Sequence, residues 1–143
     1  MEKQHALQQL EQLQKKLYAI HYACSAMNLD ADTVAPKNTS EGRGVALGVL
    51  AGEEQQLMIC PETRALLDEL DRQKDELDLL HRREVEELRR RCDQLTRIPA
   101  EEYIAYSELV NKAGDVWHKA KEKDDFAMFC PLLQELVEYN RKF

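Results

Sequence analysis

Apolar residues recur three and four apart at Leu10, Leu13, Leu17, Ile20, Cys24 and Met27. One apolar stripe at that spacing predicts a helix over about residues 3–27. The pattern stops after Asn28, and Asp30, Asp32 and Pro36 mark an irregular loop over about residues 28–38. Thr39 or Ser40 is placed to cap a second helix, running through Val45, Leu47, Val49 and Leu50 toward Met58. Gly42, Gly44, Gly48 and Gly52 weaken that helix but let another backbone approach it closely.

Pro61 suits the first turn of the next helix, where a missing N–H costs nothing. Leu66, Leu67 and Leu70 follow, and the polar patch from Arg72 to Asp75 is a candidate break with Asp75 as a cap. Leu77, His81, Val85, Leu88, Cys92 and Leu95 then form a second stripe, so residues 62–97 read as one long helix or two. Ile98-Pro99 ends this stretch, and Glu101 and Glu102 favour a new helix N-terminus. Its predicted buried face is Tyr103, Tyr106, Val110, Ala113, Trp117 and Ala120, closed by Asp124-Asp125. Phe126 and Phe129 pin a short turn, and Pro131 opens a last helix with Leu133, Leu136 and Val137. No stretch alternates with period two long enough for a strand. The expected class is all-α, five to six helices in one domain over residues 1–143.

Composition agrees with that pattern: 43% hydrophobic residues supply a core, while 5 Gly and 4 Pro are few enough to favour helices. The formal charge of -7 gives no attraction for phosphate backbones, so no nucleic-acid partner is expected. Arg82, Arg83, Arg89, Arg90 and Arg91 are interleaved with Glu84, Glu86 and Glu87 and read as a solvated, salt-bridged helix face. Cys24, Cys60, Cys92 and Cys130 form no CxxC pair and read as reduced, buried thiols. The N-terminus is too polar for a signal peptide, and no apolar run reaches the roughly 20 residues of a membrane span. No membrane partner and a cytoplasmic location are expected.

Candidate chemistry is sparse. His5, His21, His81 and His118 include no pair four apart and none followed by Glu, so HExxH, which sets two imidazoles on one helix face, is absent. His21 and Cys24 offer at most two metal ligands of the four a structural zinc needs. His81 reads as a core or boundary histidine, and His118 with Glu122 as an exposed i,i+4 pair. The carboxylate pairs Asp30/Asp32 and Asp124/Asp125 read as turn and cap residues. Ser25, Ser40 and Ser107 lack a glycine-flanked elbow, and Gly42-Arg43-Gly44 lacks the Lys-Ser/Thr ending of a phosphate loop. No catalytic, cofactor-binding or metal residue is assigned.

Two segments carry a resemblance. Leu29-Asp30-Ala31-Asp32-Thr33-Val34-Ala35-Pro36, followed by Glu41-Gly42-Arg43, is similar to the early W-D-x-E-T-x-M-P segment and trailing E-x-R of the carboxypeptidase Taq (thermostable carboxypeptidase 1) zinc metallocarboxypeptidases. Trp117-His118-Lys119-Ala120-Lys121 and then Asp125-Phe126-Ala127-Met128-Phe129-Cys130-Pro131-Leu132-Leu133 resemble that family's W-x-x-A-[RK] and D-F-x-x-F-x-P-x-L run. Leu88-Arg89-Arg90 and Ile98-Pro99 fall between them in the expected order. Leu29, Asp32 and Ala35 depart from the family's Trp, Glu and Met.

The resemblance implies the N-terminal portion of a larger all-helical enzyme that removes C-terminal residues from peptides. Its zinc is held by the two His of an HExxH helix and a later Glu, and the motif's own Glu activates water. All of these are expected beyond Phe143, so the chain alone is expected to be inactive and to hold no zinc. Its helices are expected to form part of the wall and roof over the substrate groove. Trp117 and Phe129 are expected core anchors, and Arg43 and Asp30 buried or boundary polar partners. Residues 137–143 stay helix-compatible without a terminating Gly or Pro, which reads as a truncated product or a piece of a longer protein. The expected partners are the remainder of the fold or a second copy. The alternative is a stand-alone, non-catalytic interaction module built on the same scaffold.

Overall fold

The computed structural model describes residues 2–143, and among them every regular element is helical. There are six α-helices: α1 (Lys3–Thr33), α2 (Ser40–Ile59), α3 (Pro61–Arg72), α4 (Leu79–Thr96), α5 (Ala100–Glu122) and α6 (Cys130–Lys142). Short 3-10 turns at Lys74–Glu76 and Phe126–Met128 join α3 to α4 and α5 to α6. The chain divides into two compact units, Met1–Tyr22 with Glu53–Arg97 and Ala23–Gly52 with Ile98–Phe143.

The first unit is built on predicted stripes. Leu10, Leu13 and Leu17 of α1 are buried, together with Ala6 one turn earlier. Met58 of α2, Leu66, Leu67 and Leu70 of α3, and Val85, Cys92 and Leu95 of α4 are buried too. Each such Leu contributes about 1.5–3 kcal/mol through burial, and packing of this kind supplies most of the stability of helices in proteins. Helix α3 packs on α4, with Arg89 reaching Asp68 at 3.3 Å and Asp71 at 2.8 Å. The buried Gln55 donates from Nε2 to the Leu95 carbonyl at 3.1 Å.

Residues 62–97 therefore form two helices. The break is made by Gln73, whose N–H closes on the Leu70 carbonyl at 3.1 Å, and by the 3-10 turn after it. The cap is Asp78, not Asp75: its Oδ1 accepts the His81 N–H at 3.0 Å. Asp75 lies inside the 3-10 turn, three residues too early to reach the first turn of α4.

In the second unit, α5 packs on α6. Tyr106, Tyr139 and Phe143 form a ring cluster with centroids 5.4 to 5.6 Å apart. A Cβ placed on Gly44, Gly48 or Gly52 of α2 would lie 3.0 Å from Asn111 Nδ2, 2.9 Å from Glu108 Oε1 and 3.0 Å from Ile104 Cδ1, respectively. These three glycines repeat every fourth residue and let α5 approach; Gly42, off that line, has nothing within 4 Å.

Several expectations require correction. The helix α1 runs to Thr33, through the first part of the stretch expected to be irregular at 28–38. Residues 28–30 are exposed, so no apolar period was available to signal the helix, yet Thr33 Oγ1 still bonds the Leu29 carbonyl at 2.6 Å. The helix ends where Val34 and Ala35 both donate to the Asp30 carbonyl, just before Pro36. The Thr39 hydroxyl donates to the Pro36 carbonyl at 2.8 Å and so holds the loop. On α5, Ala113 and Ala120 are buried, Tyr103 and Tyr106 half-buried, and Val110 and Trp117 exposed. Trp117 is 43% exposed and is not a core anchor; its ring meets the His118 ring edge-on and carries Lys121 Nζ 4.9 Å from its centroid. Phe129 is half-buried, and Asp30 is exposed. Of the four cysteines only Cys92 is fully buried.

Candidate functional site

The first resemblance segment lines a cleft in the second unit, which His118 and Lys119, between Trp117 and Ala120 of the second segment, also reach. The end of α1 supplies Asp32, the following loop supplies Ala35, Pro36, Lys37 and Asn38, α2 opens with Ser40 and Arg43, and α5 contributes Asp115, His118 and Lys119. The cleft encloses about 480 Å³. Asn38, at φ 68°, turns the loop between α1 and α2. Asparagine tolerates that left-handed conformation better than most residues.

Arg43 organises the cleft. Its side chain is 11% exposed, and its Nε donates to Asn111 Oδ1 at 2.9 Å. Its Nη2 faces Asp115 Oδ1 at 3.4 Å, and Lys119 Nζ stands 3.6 Å from the other Asp115 oxygen. Asn111 in turn donates from Nδ2 to the Ser40 carbonyl at 3.0 Å and Oγ at 3.3 Å. A buried guanidinium is stable only when its N–H groups have acceptors, and α5 provides them one helical turn apart. Arg43 is thus the boundary polar partner the sequence suggested, whereas Asn111 and Asp115 were missed. The run Glu108, Asn111, Asp115, Lys119 places polar residues three and four apart, which is the signal that marks this face of α5.

At the mouth, His118 Nε2 faces Asp32 Oδ1 at 3.4 Å, with both side chains more than half exposed. A pair that long and that wet contributes little. His118 therefore meets Asp32 rather than the Glu122 paired with it by sequence spacing. Ser40 Oγ accepts from the Asn111 amide at 3.3 Å. The network orients α2 against α5.

The remaining candidates lie elsewhere. His21 Nε2 is 2.9 Å from Glu54 Oε1, and Arg91 also bonds that oxygen. Glu54 is a buried carboxylate, 9% exposed at the side chain, and is answered from α1 and α4. His81 Nδ1 bonds its own cap, Asp78, at 2.6 Å and is half-buried. His5 faces Gln9 at 3.2 Å on exposed α1 surface. Within the arginine cluster, Arg83 pairs with Glu86 and Arg90 with Glu87 on the helix surface, but Arg89 and Arg91 reach other helices. Asp124, at φ 52°, and Asp125 terminate α5. Among the described residues, no three His, Cys, Asp or Glu side chains gather into a set that fits a metal ion.

Comparisons with known proteins agree with the motif reading. Residues 9–143 match the family described as carboxypeptidase Taq (M32) metallopeptidase. The chain is 34% identical to Carboxypeptidase 1 of Bacillus subtilis (strain 168) over 125 residues, 86% of this chain and 25% of that protein. It is 28% identical to Thermostable carboxypeptidase 1 of Pyrococcus furiosus over 128 residues, 90% of this chain and 26% of that protein. It superposes on the BsuCP crystal structure with a TM-score of 0.91 at 30% identity, covering 96% of this chain and 28% of that one. For Trypanosoma cruzi metallocarboxypeptidase 1 the TM-score is 0.69 at 30% identity, with 94% and 27% covered. The chain spans about a quarter of the length of the relatives it matches. With the family match running over residues 9–143, this chain belongs to the carboxypeptidase Taq (M32) metallopeptidase family.

Proposed function

We propose that this chain forms the opening helices of a cytoplasmic metallocarboxypeptidase that removes C-terminal residues from peptides, and that it has no hydrolytic activity alone. In this reading its helices are wall and roof to the substrate groove, while the zinc ligands and the water-activating carboxylate belong to the part of the fold outside these 143 residues. The observation that carries it is the family match over residues 9–143, set beside relatives of which the matched stretch is only about a quarter. The residues in hand do not suit the family's zinc. Their histidines stand apart and face Gln9, Glu54, Asp78 and Asp32 one at a time. No described helix is long and apolar enough to cross a membrane.

Two measurements test the proposal. Purified chain, incubated with blocked dipeptides and with zinc or cobalt, is expected to release no C-terminal amino acid. Robust release that a chelator abolishes would refute it. Conversely, a chimera in which this chain replaces the matching segment of Carboxypeptidase 1 is expected to hydrolyse the same peptides. A chimera that folds without activity would equally count against it.

A further inference from the structure

The segment Gly44-Val45-Ala46-Leu47-Gly48-Val49-Leu50-Ala51-Gly52 of α2 contains no polar side chain. A helix apolar all round is a helix covered all round, because any bare side leaves apolar surface in water. Only one side is covered within the second unit. Gly44, Leu47 and Gly48 are buried, with α5 closing on the glycines. About 130° around the helix, by the 3.6-residue repeat, Val45 and Val49 stand 56% and 59% exposed. Gly42 lies on the same bare side and has open space around it. A glycine inside a helix weakens it, and nothing in this unit takes advantage of the gap that Gly42 leaves.

We infer that the Gly42–Val45–Val49 face of α2 is the seat of a further helix from the catalytic body of the peptidase, drawn in close over Gly42. The inference rests on the function proposed above and names the surface through which these helices join the rest. The occupant follows from length: in the BsuCP crystal structure the region matched by this chain is 28% of the whole. A body of that size is available to cover the bare side. Two β-branched side chains beside a glycine form the ridge and notch into which a partner helix packs. Polar flanks, Glu41 before the face and Glu53 after it, confine the apolar contact to these turns.

The Val45→Lys/Val49→Lys double variant tests this in two settings. In the isolated chain both positions are exposed, so the helical signal and Tm should stay unchanged. In the chimera with Carboxypeptidase 1, the two charges would be trapped at the joint, and active enzyme should fall by roughly tenfold or more. Gly42→Ala is the second variant: neutral or stabilising in the isolated chain, damaging in the chimera. If the unsubstituted chimera is active and both variants leave it unharmed, the surface assignment fails while the proposed function stands. An unsubstituted chimera that is inactive removes both. If sedimentation shows that the isolated chain dimerises and the double variant makes it monomeric, the seat belongs to a second copy and the inference is overturned.

Discussion

Arg43 on α2 and Asn111 on α5, 68 residues apart in sequence, meet through a 2.9 Å hydrogen bond from Nε to Oδ1. That bond ties the end of the first resemblance segment, which Arg43 closes, to the helix that carries Trp117. Asn111 spends its amide on Ser40 and its carbonyl on Arg43, so one side chain fixes both the start of α2 and the guanidinium.

Arg43→Ala is expected to destabilise the chain by about 1–3 kcal/mol, since it leaves the Asn111 carbonyl without its donor and Asp115 with Lys119 alone. Arg43→Lys should recover little, because an ammonium cannot serve two acceptors placed to suit the guanidinium fork. Urea unfolding of both single variants and of Arg43→Ala/Asn111→Ala would show a coupling of roughly 0.5–3 kcal/mol. Strict additivity would mean that the bond contributes nothing.

A different kind of coupling is expected at Glu54. Its carboxylate is buried on α2 and is held by Arg91 of α4 and His21 of α1. Arg91 is itself one-third exposed, so water moderates the interaction. Arg91→Met should cost on the order of 1–3 kcal/mol by stranding a buried charge, whereas Arg91→Met/Glu54→Gln should cost less than Arg91→Met alone. Chemical unfolding at neutral pH gives both numbers, and equal losses would show that Glu54 reaches water without its partner.

Acid should act on α4 through its cap. The Asp78 carboxyl is held below its ordinary value chiefly by the His81 backbone N–H that it accepts, and also by the His81 ring. A carboxyl with a lowered folded value stabilises the fold above its unfolded value and loses that contribution as pH falls through the folded one. Stability should therefore decline as pH drops below about 4. Asp78→Asn, which keeps a capping oxygen but cannot titrate, should flatten part of the decline. Glu11 beside Lys15 and Glu87 beside Arg90 are lowered in the same direction, so the slope should shrink without vanishing. Thermal melts from pH 2 to 7 would decide it; identical slopes would exclude Asp78 as a contributor.

What could be read from sequence depended on burial. Leu10, Leu13 and Leu17 announced their helix because one face of it is inside, and a 3.6-residue period exists only where one face is covered. The last turns of α1 are exposed, and there Asp30 and Asp32 passed for loop residues although the backbone stays helical. The α5 stripe misled in the opposite way. Its aromatic positions have the right spacing, yet the fully buried residues are the small ones, Ala113 and Ala120. Trp117 shows that a motif residue need not be a core residue. Arg43 was legible from its motif; the polar run through Asn111 and Asp115 marks a face of α5, but a 68-residue separation hides that Arg43 is what it meets.

The glycines of α2 give the sharpest separation of roles. Gly42→Ala places a methyl in open space and removes the backbone freedom of a helical glycine, so the isolated chain should gain about 0.5–1 kcal/mol. Gly44→Ala has the same intrinsic benefit, but its methyl would lie 3.0 Å from Asn111 Nδ2. That nitrogen is tied to Ser40, and the same amide holds Arg43, so Asn111 cannot swing aside without loosening both. A net loss of roughly 1–3 kcal/mol is expected, as for other overpacked sites. Gly48→Ala should also lose stability: its methyl would lie 2.9 Å from Glu108 Oε1, 3.0 Å from Glu108 Cγ and 3.3 Å from Ile104 Cγ2, so turning the carboxylate away does not clear the site. Thermal melts of the three variants should rank Gly42→Ala above both Gly44→Ala and Gly48→Ala. If Gly44→Ala proves as stable as Gly42→Ala, then α2 and α5 do not approach as closely as the Asn111 network requires.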